Sequence, residues 1–177
     1  PDGLHLYFQL THGSHIMNGE DKTITVVPTE LPSHRAGWLT KDIIAIPLGP
    51  AADDTHARIV IYNRATVTMQ TIMLDVSSPR HLQPWDDKGQ FILMTALNHT
   101  GERHPFLLDS ATGDLQPALP WLTQPIEELH ISRKAKLACW STKTDSEVAQ
   151  LQDGKTLQIL PGITRAVPHD EGQWIAL

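Results

Sequence analysis

The chain has 177 residues, 40% of them hydrophobic, with a formal net charge of −6 and a pI near 5.9. That length and apolar content suffice for a sizeable core and exclude a mainly disordered chain. The acidic balance, with no lysine or arginine cluster, excludes non-specific nucleic-acid binding; the lack of any apolar run of about 18 residues leaves no membrane-spanning helix.

The single cysteine, Cys139, excludes a disulfide-stapled scaffold. It lies in an apolar run beside Trp140 and reads as a small buried hydrophobe. The composition fits cytoplasm and periplasm equally.

Taken in order, the residues predict short strands and tight turns with little helical periodicity. A strand runs from His5 to Gln9, followed by a loop carrying His12 and His15, a second strand near Ile16, and a polar turn from Asn18 to Lys22. Thr23 to Val27 alternates and is β-branched, which predicts a strand. Pro28 to Arg35 reads as a linker that leads to Trp38. Ile43 to Pro47 is expected as the inner strand of the next unit, Gly49 to Thr55 as a solvent loop, and Ala57 to Asn63 and Val67 to Leu74 as further strands. Ser77-Ser78-Pro79-Arg80 leads back to a polar turn, Pro84 to Gly89, that delivers the chain into Phe91 to Ala96. Asn98 to Glu102 is a hairpin turn by composition, and it is also an N-x-T acceptor sequence. Leu119 to Pro125 is the next linker, and Leu137 to Ser141, Val148 to Leu151 and Thr156 to Leu160 are the following strands. Trp174 to Leu177 begins another.

One pattern recurs through this order. Pro84-Trp85-Asp86-Asp87-Lys88-Gly89-Gln90-Phe91-Ile92-Leu93 and Pro168-His169-Asp170-Glu171-Gly172-Gln173-Trp174-Ile175-Ala176 share a polar turn ending in Gly-Gln and an apolar run. Ile131 to Trp140 and Trp38 to Ile46 are weaker copies, and Pro1 to Phe8 is a partial one. Taking Leu6, Ile44, Ile92, Ala138 and Ile175 as anchors, the interval is roughly 40 residues, within the range of solenoid and propeller repeats. The units are expected near 5–42, 43–90, 91–136 and 137–173, with 174–177 starting a further one in a single domain.

The unit after Phe91 adds a second motif, Asp109-Ser110-Ala111-Thr112-Gly113-Asp114, in which Asp109 caps a hairpin turn and Gly113 supplies a positive φ. Gln152-Asp153-Gly154-Lys155 is its equivalent one unit later. Together these motifs resemble the repeats of TolB-like β-propellers, also found in the propeller domains of prolyl-oligopeptidase-type peptidases. The resemblance implies an all-β fold of about four blades, a part of a larger propeller or one completed by another chain or copy. It also implies an extracytoplasmic, periplasmic setting, with a cytoplasmic one left open.

Histidine is abundant, at ten residues, but no pair has the H-E-x-x-H or Cys/His spacing of a metal site. His12 and His15 are the best local pair, and no metal or other cofactor is expected. No nucleophile elbow, phosphate loop or dinucleotide fingerprint is present, so no catalytic residues are assigned. The candidate ligand-binding residues are the charged groups just before each lead-in turn: His34, Arg35, Arg80, His81, Glu127, Glu128 and Arg165. In a propeller they would fringe the mouth of the central channel, where a few convergent polar groups favour a ligand. The competing reading is a solvated rim with weak ion pairs. Trp38, Trp85, Trp140 and Trp174 are expected in the core, with Trp121 in a linker at the surface. The expectation is thus a non-catalytic module that binds a protein or a small ligand, such as a sensory domain. The alternative is the propeller portion of an enzyme, either a peptidase gating domain or a histidine-metal lyase.

Overall fold

The computed structural model describes residues 5–10, 13–27, 36–48 and 56–176. His34 and Arg35, and the His12 of the His12–His15 pair, lie outside the described residues. Within them the chain is all β, and none of it is helical. No helix is therefore long and apolar enough to cross a membrane.

The first sheet is a three-stranded meander of β1 (His5–Leu10), β2 (Gly13–Asn18) and β3 (Ile24–Val27). Its second strand includes His15, which the sequence placed in a loop. There the imidazole Nδ1 lies 3.1 Å from the Gly13 carbonyl, and the ring stacks on Phe8 with centroids 5.4 Å apart. Backbone bonds between Asn18 and Thr23 and between Lys22 and Asn18 close the expected turn.

Three four-stranded antiparallel sheets follow. The second sheet orders β4 (Gly37–Trp38), β5 (Ile43–Leu48), β6 (Ala57–Asn63) and β7 (Thr68–Leu74). The third orders β8 (Ser77–Pro84), β9 (Phe91–Leu97), β10 (Arg103–Asp109) and β11 (Leu115–Pro117). The fourth orders β12 (Glu128–Ser132), β13 (Leu137–Ser141), β14 (Asp145–Gln150) and β15 (Thr156–Pro161). A two-stranded hairpin of β16 (Ala166–Pro168) and β17 (Trp174–Ala176) ends the described chain.

This order corrects one expectation. The strand after each lead-in turn was expected as the inner strand of its unit, yet β5, β9 and β13 each occupy the second place in their sheets. The first place belongs to the strand before the turn. Sheets therefore begin one strand earlier than the sequence intervals. The physical reason is legible in burial. All five residues of β13 and five of the seven in β9 are buried, as continuous apolar runs with neighbours on both sides must be.

The turns form as their residues dictate. Asp86 Oδ1 accepts the Phe91 amide at 3.0 Å, and Trp85 N–H bonds the Phe91 carbonyl at 2.8 Å. Asp109 Oδ1 accepts the Ala111 amide at 2.8 Å, and Gly113, at φ 81°, donates its amide to the Asp109 carbonyl at 2.8 Å. Gly154 repeats this arrangement on the Gln150 carbonyl at 3.0 Å. In the β6–β7 hairpin the corresponding left-handed position, φ 55°, is held by Val67. Asn98 Oδ1 accepts the Thr100 and Glu102 amides at 2.9 and 3.0 Å, confirming that turn.

Packing divides the chain into two compact units, residues 1–93 with 107–116, and residues 94–106 with 117–177. In the first, Ile16, Val27, Ile44, Ile46, Leu48, Val60 and Tyr62 form one buried cluster with Trp38 against it. Fully burying each such aliphatic side chain stabilises by about 1.5–3 kcal/mol. Gly37 is required there because a Cβ would overlap the Leu82 carbonyl oxygen. In the second unit Leu137, Cys139, Val148 and Ala166 pack together. Trp121 is half-buried elsewhere in this unit, contrary to its surface reading. Its ring lies against Gly154, where any Cβ would overlap it. It also tilts against Trp140 at 5.5 Å and donates Nε1–H to the Leu151 carbonyl at 3.3 Å.

Candidate functional site

Alternation along a strand puts residues two apart on one face. Glu128 and His130 open β12 in this relation, and antiparallel register sets Glu128 beside Ser141 and His130 beside Cys139. The same register continues into β14, where Ser141 faces Ser146 and Cys139 faces Val148. One face of the fourth sheet thus grades from a polar end, Glu128, Ser141 and Ser146, to the apolar cluster around Cys139.

Arg165 reaches this polar end because it immediately precedes β16, which packs across β12, β13 and β14. Its Nε lies 3.3 Å from Glu128 Oε2, and His130 Nε2 lies 3.5 Å from the same oxygen. One carboxylate oxygen therefore sits between a guanidinium and an imidazole. Burial pushes the His130 imidazole below its usual value, with Glu128 opposing that shift and Arg165 reinforcing it. The imidazole is accordingly neutral near pH 7, and the charged pair is Glu128–Arg165. Arg165 is half exposed, at 52%, so solvent screens the pair and its contribution to stability is at most about 1 kcal/mol. Glu127 donates its amide to the Ser141 carbonyl at 2.8 Å and so fixes the start of β12.

In the other unit Arg80 and His81 lie half-buried on β8. The backbone is unusual there: Ser78 and His81, neither of them glycine, adopt φ values of 50° and 53°. Left-handed conformations in non-glycine residues cost about 1–3 kcal/mol and recur at functional positions.

Of the seven candidates, the structure brings together Glu128 and Arg165. It adds His130, which the sequence had counted only among the histidines. The signal was present, because Glu-x-His on a strand places both side chains on one face. The contact with Arg165 had no local signal, since it depends on β16 folding back over the sheet. Among the described residues no group of three or more His, Cys, Asp or Glu is placed to hold a metal ion. Cys139 is fully buried, and burial pushes its thiol up to about 12, which makes it a packing residue and not a nucleophile.

No protein-family model matches the sequence, and no curated protein matches it in sequence. Solved structures do resemble it. TolB from Acinetobacter baumannii is similar with a TM-score of 0.62 at 12% identity, over 90% of this chain and 40% of that one. Hydrazine synthase from Kuenenia stuttgartiensis is similar at 0.70 and 10% identity, over 100% of this chain and 69% of that one. Dipeptidyl peptidase 4 from Porphyromonas gingivalis is similar at 0.56 and 10% identity, over 96% of this chain and 32% of that one. The chain thus spans well under two thirds of the TolB and peptidase chains. At such identities the likeness defines the fold alone, which is that of the β-propellers, with TolB-like repeats.

Proposed function

We propose that the chain is a non-catalytic β-propeller binding module that engages a protein partner or a small ligand through the polar rim at the start of β12, where Arg165 meets Glu128. The observation that carries this reading is the Glu128–His130–Arg165 array. It holds a half-exposed guanidinium by its Nε at a strand start, an arrangement suited to a polar or anionic partner group. The TolB-like repeats favour an extracytoplasmic setting, such as a sensory domain. The alternative, a propeller portion of an enzyme, is favoured by the likeness to a dipeptidyl peptidase.

The test is retention on the immobilised full chain from a cell-envelope extract of its source organism, compared with Glu128→Ala and Arg165→Ala. At least one species is expected in stoichiometric amount on the parent chain and at about tenfold lower occupancy on either variant. Equal retention by parent and variants would sink the rim reading. Turnover of dipeptidyl chromogenic substrates by the chain itself would move the assignment to the enzyme alternative.

A further inference from the structure

The strand β7 is the last of its sheet, and among the described residues no strand lies along its other edge. Its pairing with β6 is regular through all seven residues, from Asn63↔Thr68 to Ala57↔Leu74. A long, regular edge is a template for strand pairing, and natural edges are usually blunted by charge, proline, a bulge or short length. Among the described residues, the strands that end the first, third and fourth sheets are blunted so. β3 has four residues, β11 has three and ends in Pro117, and β15 carries a register shift beside Val148 and ends in Pro161. By contrast β7 reads Thr-Met-Gln-Thr-Ile-Met-Leu, with no charge and no proline.

A cleft of about 570 Å³ opens at the start of this strand, a size typical of ligand sites. Ile43, Ile61 and Met69 give it apolar surface, and Gln70, Gln90 and Lys88 give it polar surface. Gln70 is fixed in place, its Nε2–H donating to the Ser110 carbonyl at 3.1 Å. Lys88 is the one charged side chain among the lining residues, so the complementary group is an anion. Met69, at the cleft, and Met73, 48% and 51% exposed, share one face of the strand as adaptable apolar contacts.

We propose that β7 receives an extended peptide segment of a partner protein as an added strand, with an aspartate or glutamate of that segment seated in the cleft beside Lys88. Strand addition supplies affinity through main-chain hydrogen bonds, and the cleft supplies side-chain selectivity. A second copy of β7 does not meet this requirement, because it carries no acidic residue. The site is independent of the Glu128–Arg165 rim, and each stands or fails separately.

The test is selection of a random heptapeptide display library on the full chain, followed by affinity measurements on the enriched peptides as synthetic, end-capped compounds. The enriched sequences are expected to be β-branched and to carry an aspartate or glutamate. Lys88→Glu is expected to weaken them by about tenfold or more, with an unchanged melting temperature, while Glu128→Ala leaves them unaffected. Methylating the peptide amides at alternate residues is expected to abolish binding in one register and spare it in the other, since only every second residue faces the edge. The proposal is overturned by a selection with no enrichment, by equal binding to Lys88→Glu, by equal tolerance of both methylation registers, or by pairing of two copies through β7.

Discussion

The β6–β7 turn offers the sharpest test of the repeat, because Val67 stands where the equivalent turns have Gly113 and Gly154. All three are left-handed, at φ 55°, 81° and 71°. An L-residue there strains its Cβ against the backbone by about 1–2 kcal/mol, and a β-branched one is an outlier. The side chain returns little for this, being 72% exposed. Val67→Gly relieves the strain and costs about 0.4–1 kcal/mol through the greater freedom of glycine in the unfolded chain. The net expectation is a gain of about 0.5–1 kcal/mol, or about 2 °C in melting temperature for a chain of this size. Val67→Ala, which keeps a Cβ, gains less. The reverse change, Gly113→Val, places a Cβ 3.4 Å from Ile72 Cγ2 at φ 81° and destabilises. Thermal and urea melts of the three variants read these differences. The reasoning is refuted if Val67→Gly loses about 1 kcal/mol, as glycine does in an ordinary strand position.

Three further outcomes follow from named contacts. Gly37→Ala drives a Cβ into the Leu82 carbonyl, with no flexible side chain to move aside, and is expected to cost about 2–4 kcal/mol in urea unfolding. His130 has a folded pKa below its ordinary 6.5, so on acidification the unfolded state takes up the proton first. Stability is therefore expected to be flat above pH 6.5 and to fall as the pH drops from there through the folded value, and His130→Gln should flatten that slope in melts across pH. Cys139, buried and with its thiol pushed up to about 12, should not react with an aromatic disulfide reagent at pH 8 in the native protein, and should react fully in denaturant.

Much of the architecture was legible because continuous apolar runs bounded by Gly and Asp turns leave few alternatives. Phe91 to Ala96 and Leu137 to Ser141 announced buried strands, though not their second place in the sheet, and Asp109 with Gly113 announced a hairpin. The strand before each turn was hidden for a physical reason. β8, Ser-Ser-Pro-Arg-His-Leu-Gln-Pro, holds two prolines and alternates poorly, because an edge strand needs one ladder only and tolerates missing donors. Missing it shifted the repeat by one strand. His15 misled for another reason, since a polar histidine after Gly13 and Ser14 looks like a loop residue, whereas here its half-buried ring stacks on Phe8 across the β1–β2 pair. In the candidate site the Glu128–His130 alternation was readable. Arg165 was recognised only as a charge near a turn, because its partner lies 37 positions away in the chain.

The measurement that bears most directly on the binding reading is amide hydrogen exchange of the full chain, with and without the species retained by the immobilised protein. Binding at the polar rim is expected to slow exchange in residues 126–130 and 163–168, with β9 and β13 already protected in the free chain and unchanged. Unaltered exchange in both rim segments, with protection elsewhere, would contradict it.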